Sequence, residues 1–264
     1  MIKGAIRFFI NAILLLCLML SWLLLPFVGL FSERISTWLK LRQMSLWARA
    51  TLFVLGVQVI SVGPKPKSPF LLASNHLSYL DILVLWSQID SFFLGKAELG
   101  RWPFMGFLIR AAGTLFIDRT KKSGVVSAIE KISQKVMSGF GVIFFPEGTS
   151  SSGGAIRRFR PNIFEVAVLA KIPVHVAVLR YETTSREHPA EYAMAWWGNM
   201  TFAAHFLRLH TFDKKIAYII FAEESVPFSN RKNMALEAER IVSKYFIPLH
   251  NFETIKKEDD CSVI

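Results

Sequence analysis

From Phe8 to Ser32 the chain carries no charged side chain, and most of the stretch is Leu, Ile, Phe, Val and Trp. About 20 apolar residues cross a hydrocarbon core, so a fold containing this segment must bury it whole or give it to lipid. Lys3 and Arg7 precede it as in a secretory leader. The apolar core is nevertheless longer than a cleaved leader uses, and no small-x-small cleavage site stands before Phe31. A retained anchor is expected, with a helix over about 8–32. A second apolar run, Ala50 to Val62, ends at Gly63-Pro64. It reads either as a core helix or as a second limb over about 44–62 that dips into one leaflet. Residues 1–63 are thus expected to form a membrane-anchoring helix pair, and whether the first helix spans or lies in the interface stays open. Arg34, Lys40, Arg42, Arg49, Lys65 and Lys67 follow the first run and outnumber the positive charges before it. By the positive-inside rule the body faces the cytoplasm from the inner (cytoplasmic) membrane.

Composition agrees with a lipid surface. Hydrophobic residues make up 52% of the 264, Phe alone occurs 23 times, and 31 Lys and Arg against 20 Asp and Glu leave a net charge of +11. A chain both apolar and basic fits membrane lipids, anionic ones included. Nucleic acid is not expected as a partner, because no recognition motif and no basic stripe interleaved with aromatics accompanies the charge. Cys17 and Cys261 form neither a disulfide framework nor a metal-ligand spacing, so no metal is expected.

Beyond Pro64, short apolar runs at Phe70–Ala73, Phe92–Leu94, Thr114–Ile117, Val142–Phe145 and Pro173–Leu179 alternate with helical stretches such as Gly124–Met137 and Pro161–Ala170. Such alternation predicts an α/β fold: a mixed, largely parallel sheet flanked by helices over residues 64–250. Ile216–Ala222 reads as a further strand and Asn230–Phe246 as an amphipathic helix, while the tail 251–264 is expected to be flexible.

Three of these strands end in polar clusters. After Phe70–Ala73 comes Ser74-Asn75-His76-Leu77-Ser78-Tyr79-Leu80-Asp81; after Thr114–Ile117 comes Asp118-Arg119; after Val142–Phe145 comes Pro146-Glu147-Gly148-Thr149-Ser150, with a Ser/Gly run behind it. If the strands are neighbours, the clusters share one edge, where α/β folds keep their sites. Near the first turn of a helix, Asp81 can accept a hydrogen bond from one imidazole nitrogen of His76 and leave the other to take a proton. Ser78-Tyr79-Leu80-Asp81 fits a helix-capping pattern equally well. Asp118-Arg119 reads on its own as a surface turn. A Gly/Ser-rich turn with Arg119, Arg157, Arg158 and Arg160 near it also offers backbone N–H groups and guanidinium forks to an anion such as phosphate.

Together these residues resemble the glycerolipid acyltransferases, especially the bacterial-type 1-acylglycerol-3-phosphate acyltransferases. Asn75 to Asp81 looks like their His-x4-Asp motif, Gly113 to Arg119 like the second block, Phe145 to Ser150 like the third, and Ile172-Pro173-Val174 like the start of the fourth. The resemblance covers roughly Pro64 to Leu179. It implies transfer of an acyl chain from acyl-CoA or an acyl-carrier protein to the free hydroxyl of a lysolipid, with no other cofactor. By that analogy His76 is the general base and Asp81 orients it. Lys96, Arg119, Glu147, Gly148, Thr149, Arg158 and Arg160 bind substrate, and lysophosphatidic acid is the first-choice acceptor.

The chain departs from the pattern at Ser150, where many relatives carry Arg, and at His175, which reads as a packed strand residue. Ala195 to Met200 with His205 resembles a bacterial subgroup that includes lyso-ornithine lipid acyltransferases, though the tryptophans and His205 fit plain packing equally well. A catalytically silent scaffold and a thioester hydrolase are the rival functions.

Overall fold

The computed structural model describes residues 2–103, 105–118, 122–184 and 188–249. The expected flexible tail, 251–264, lies outside them. In chain order the helices are α1 (Ile2–Trp22), α2 (Leu25–Gly29), α3 (Glu33–Leu55), α4 (Leu80–Trp86), α5 (Met105–Ala111), α6 (Lys122–Met137), α7 (Glu165–Ala170), α8 (Ala190–Ala193), α9 (Phe202–Leu209) and α10 (Arg231–Tyr245). The strands are β1 (Val57–Val62), β2 (Leu71–Ser74), β3 (Ser91–Lys96), β4 (Leu115–Ile117), β5 (Gly141–Phe144), β6 (Val174–Thr183) and β7 (Lys215–Phe221).

All seven strands form one sheet in the order β1-β7-β6-β2-β5-β3-β4. β6, β2, β5, β3 and β4 run parallel; β7 is antiparallel to β6, and β1 is parallel to β7. This is the mixed, largely parallel sheet that the alternation of elements predicts. Strand residues alternate between two cores, as a two-residue period requires. Leu72, Ile143, Leu179 and Tyr181 pack on the face covered by α1, α3 and α4. Leu71, Ala73, Val142, Phe144 and Val178 pack on the face covered by α6, α7 and α10.

The expected second helix over 44–62 is corrected. α3 begins much earlier, where the Ser32 hydroxyl accepts from Ile35 N–H, and it ends at Gly56, which takes a left-handed φ of 71°. Val57–Val62 then enters the sheet against β7, from Val57 beside Lys215 to Val62 beside Ile220. The run of Val and Ile is a strand-former, and Gly56 is the break. Membrane-facing hydrophobicity and a buried strand look alike when only apolar content is counted.

The helical stretch Ile2–Gly29 is long and apolar enough to cross a membrane by length and composition. Within it, Lys3, Arg7 and Asn11 recur every four residues and so share one edge of α1. That edge grips the turn between α9 and β7: Lys3 Nζ lies 2.6 Å and Arg7 Nη2 2.5 Å from Asp213, Arg7 also donates to Phe212 O at 3.0 Å, and Asn11 Nδ2 lies 3.2 Å from His210 Nε2. Ile2, Phe9, Ile13, Leu16 and Leu20 are exposed.

Hydrogen bonds from Lys3 and Arg7 pull the Asp213 carboxyl down to about 2. A depressed carboxyl contributes stability above its unfolded value and loses it as pH falls through the folded one. Hydrogen exchange of the first turns of α1 is therefore expected to accelerate between about pH 4 and 2, and in Asp213→Asn to be modestly faster at neutral pH, since half-exposed ion pairs contribute little. Exchange that is unchanged in both cases would show that apolar packing alone holds α1.

Candidate active site

Because β2, β5, β3 and β4 are parallel neighbours, their carboxyl ends share one edge. His76 follows β2, Glu147 follows β5, Lys96 ends β3 and Asp118 follows β4. The described parts of the polar clusters thus lie along one edge of the sheet. Arg119 lies outside the described residues. His175 is paired beside Leu72 within the sheet, away from that edge, and burial lowers its imidazole pKa.

His76 is held from every side. Its Nδ1 is 2.7 Å from Asp81 Oδ2, and the same oxygen accepts the backbone N–H groups of Leu77 at 2.7 Å and Ser78 at 3.0 Å. Its ring stacks on Phe145 with centroids 4.1 Å apart and planes 13° from parallel. Its backbone N–H donates to Glu147 Oε1 at 2.9 Å, and its carbonyl accepts from Ser151 N–H at 3.0 Å. Asp81 is fully buried and Tyr181 O–H donates to its other oxygen.

A carboxylate only accepts, so Nδ1 carries a proton, and in the neutral imidazole Nε2 then presents a lone pair. Nε2 has no hydrogen-bond partner among the described residues, and 19% of the side chain is exposed. The capping and base readings therefore merge. Asp81 does satisfy backbone N–H groups ahead of α4, with the same oxygen that orients the imidazole. Ser78 Oγ makes no cap; it is buried without a partner among the described residues.

Glu147 acts on the backbone. Its second oxygen accepts Arg157 N–H at 3.2 Å, so the carboxyl ties the strand end that carries His76 to the loop that carries the arginines. Farther along that loop Phe159 turns inward, its N–H on Glu239 Oε2 at 2.6 Å, while Arg157, Arg158 and Arg160 are exposed. Gly148 takes a φ of 79° at the turn, its N–H on Phe145 O at 3.1 Å, and Thr149 beside it is half-buried. Lys96 is exposed two strands away from β2.

Burial pushes the Glu147 carboxyl up to about 8, against the pull of the two backbone N–H groups. The folded state then keeps a proton that the unfolded chain loses near 4.5, so this group's contribution to stability falls as pH rises from about 4.5 to 8. Glu147→Gln is expected to flatten that decline in a thermal-unfolding series. Glu147→Ala leaves both N–H groups without their acceptor, at about 1–3 kcal/mol each, and is expected to lower Tm at every pH. A Gln variant with the wild-type slope would remove Glu147 as its source.

Sequence reasoning missed two residues. Asn75 closes a two-way bridge to β6, donating to Leu179 O at 2.9 Å and accepting from Leu179 N–H at 2.7 Å. Tyr181 lies beyond the run Pro173–Leu179 read as the strand. Its two-residue spacing from Leu179 was the available signal.

Beside the dyad stands an aromatic wall. Tyr79 meets Phe202 at 5.0 Å and Trp196 at 5.9 Å, and its hydroxyl lies 2.9 Å from His205 Nδ1. Burial pushes the His205 imidazole down to about 4, so it is neutral. The wall continues through Phe206 to Phe8 of α1, 6.3 Å away, linking the anchor to the site. Trp196, Trp197 and His205 are thus packing residues here: both indole N–H groups are spent on the nearby carbonyls of Met200 and Glu191.

Residues 56–180 match the Acyltransferase family model, with His76, Asp81 and Glu147 inside the match. That stretch is just under half of the chain, and it holds every described residue of the His-Asp-Glu cluster. Among similar proteins, the chain is 28% identical to the lyso-ornithine lipid O-acyltransferase of Brucella abortus over 76% of its own length and 79% of that protein's. It is 33% identical to the 1-acyl-sn-glycerol-3-phosphate acyltransferase of Neisseria gonorrhoeae over 53% of its own length and 55% of that protein's. Its fold is shared with PlsC, the 1-acyl-sn-glycerophosphate acyltransferase of Thermotoga maritima: TM-score 0.60 at 21% identity, covering 95% of this chain and 98% of that one.

Proposed function

We propose that this protein is an acyltransferase that moves an acyl chain from a thioester, acyl-CoA or acyl-carrier protein, to the free hydroxyl of a lysolipid at a membrane surface. The observation that carries the mechanism is an imidazole whose Nδ1–H is held by Asp81 and whose Nε2 has no hydrogen-bond partner among the described residues. Nε2 takes the acceptor's hydroxyl proton as the oxygen attacks the thioester carbon. The C–S bond then breaks, and the departing thiolate takes the proton back from the imidazolium, so no acyl-enzyme is needed. Asp81 holds the tautomer and balances the transient positive charge. Arg158 and Arg160, exposed on the loop tied to His76 through Glu147, suit the anionic head of the acceptor, and Lys96 suits an anionic substrate group at the same edge.

The exposed apolar residues of α1 and α2 support a site held against lipid. The cations that follow, Arg34 to Lys67, favour the cytoplasmic face of the inner membrane.

1-Acyl-sn-glycerol 3-phosphate, giving phosphatidic acid, is the first acceptor to offer, because its phosphate matches the loop arginines. A lyso-ornithine lipid is the second reading. It is favoured by Ser150, which is buried at 9% exposure where many relatives carry Arg, and by the resemblance of Ala195 to Met200 with His205 to the lyso-ornithine lipid subgroup.

The test supplies one labelled acyl thioester to the purified full chain in mixed micelles, with each acceptor in turn. Label in one lysolipid identifies the acceptor. Acyl release without any acceptor would make the protein a hydrolase, and neither outcome would leave a scaffold.

A further inference from the structure

β6 is longer than the strand it pairs with. Its register with β2 ends at Ser74 beside Ala177, yet it runs on to Thr183, so its last residues overhang the carboxyl end of β2 where His76 and Asp81 sit. Two side-chain contacts occupy that overhang. Asn75 pins Leu179 by both its N–H and its carbonyl, and Tyr181, two residues on and facing the same core, reaches Asp81 with its hydroxyl.

The two oxygens of Asp81 are unequally served. Oδ2 accepts from the imidazole and two backbone N–H groups; Oδ1 has Tyr181 as its donor. The phenol is fully buried, and burial together with the adjoining carboxylate raises its pKa, so it remains a donor throughout the working range.

We propose that Tyr181 is a positioning residue for acyl transfer: by donating to Asp81 Oδ1 it tempers the carboxylate's hold on the Nδ1 proton and keeps His76 Nε2 ready to accept one. This rests on the reading of His76 as general base. The balance is simple. Donation to Oδ1 withdraws negative charge from the carboxylate and weakens its stabilisation of the imidazolium, so the imidazole is more readily kept neutral. Without the donor, charge concentrates on Asp81, the imidazolium is favoured, and a larger share of the enzyme is unable to take a proton at low pH. The other titratable groups turned toward this carboxylate are His76 itself, Glu147 from the loop after β5 and Tyr79 ahead of α4, the last acting through Tyr181.

The test is the pH profile of kcat/KM for the full chain, with Tyr181→Phe and with 3-fluorotyrosine at position 181. In Tyr181→Phe the acid limb is expected to move up by about half a pH unit or more, so that kcat/KM on that limb falls about threefold or more. Fluorotyrosine is a stronger donor, so it moves the limb the opposite way. The imidazole nitrogen resonances of His76, titrated by NMR without substrate, follow the same two directions. Tyr218→Phe, which makes the same chemical change on β7, leaves the limb in place. If Tyr181→Phe does not fold, fluorotyrosine carries the test. Limbs that stay at the wild-type position, or that move the same way in both variants, overturn the proposal. His76→Ala separates the two claims: activity surviving in it removes the general base, whereas an inactive His76→Ala beside unmoved limbs removes only the role of Tyr181.

Discussion

His76→Ala is expected to lower acyl transfer by about 100- to 10,000-fold, the range that a positioned acid–base group contributes, with little change in the KM of either substrate. The imidazole combines a lone pair, partial exposure and a rigid mount. Phe145 fixes its plane, Asp81 its tautomer, and Glu147 and Ser151 its backbone. Truncation removes the proton acceptor without removing those supports: Glu147 and Ser151 address main-chain atoms that alanine retains. The variant is therefore expected to fold with near-native Tm, and the loss falls on kcat. A variant that transfers acyl chains at the wild-type rate would return His76 to a structural role.

Asp81→Asn is expected to cost about 100-fold in kcat. Two amide orientations compete. With its oxygen at the Oδ2 position, Asn still accepts from the imidazole and the Leu77 and Ser78 N–H groups, and its NH2 can donate to the Tyr181 oxygen. In the reverse orientation an NH2 faces three donors. The first must prevail, so geometry survives while the charge that balances an imidazolium is gone. The pH profile of the residual activity should then differ in shape from wild type. Asp81→Ala is the harsher change. It leaves buried N–H groups and the Tyr181 hydroxyl without their acceptor, at about 1–3 kcal/mol for each such group, and is expected to lower Tm as well as rate. Equal rates for Asp81→Asn and wild type would mean that tautomer control suffices and charge does not matter.

Much of the site was legible because its chemistry is written in short, contiguous pieces. The apolar run Phe70–Ala73 followed by Ser74-Asn75-His76 marks a strand end; Pro146-Glu147-Gly148 after Val142–Phe145 marks another. Parallel neighbours then bring such ends together, as the alternation of strands and helices implied. The role of Glu147 was less legible. A carboxylate beside a Gly-Thr turn suggests a substrate contact, and only the coordinates show both oxygens engaged by main-chain N–H groups.

Where the reading failed, it failed at long range. An apolar run carries no mark of its partner, so Val57–Val62 reads as part of the anchor; pairing with β7, more than 150 residues on, makes it a strand. Tyr181 is 100 residues from Asp81, and no local period ties a tyrosine in one strand to a carboxylate ahead of a helix. The polar edge of Lys3, Arg7 and Asn11 could be drawn on a helical wheel, but its counterpart at His210 to Asp213 could not.

The sequence by itself determined the apolar amino-terminal segment, the α/β alternation, and the His-Asp and Glu-Gly-Thr pieces at strand ends, because each is encoded by residues within a few positions of one another. Tertiary structure decided the strand order, the entry of β1 through β7, the main-chain duty of Glu147 and the Tyr181 hydroxyl on Asp81. Each of these depends on which distant surfaces bury one another, and burial is a property of the whole packed chain rather than of any segment within it.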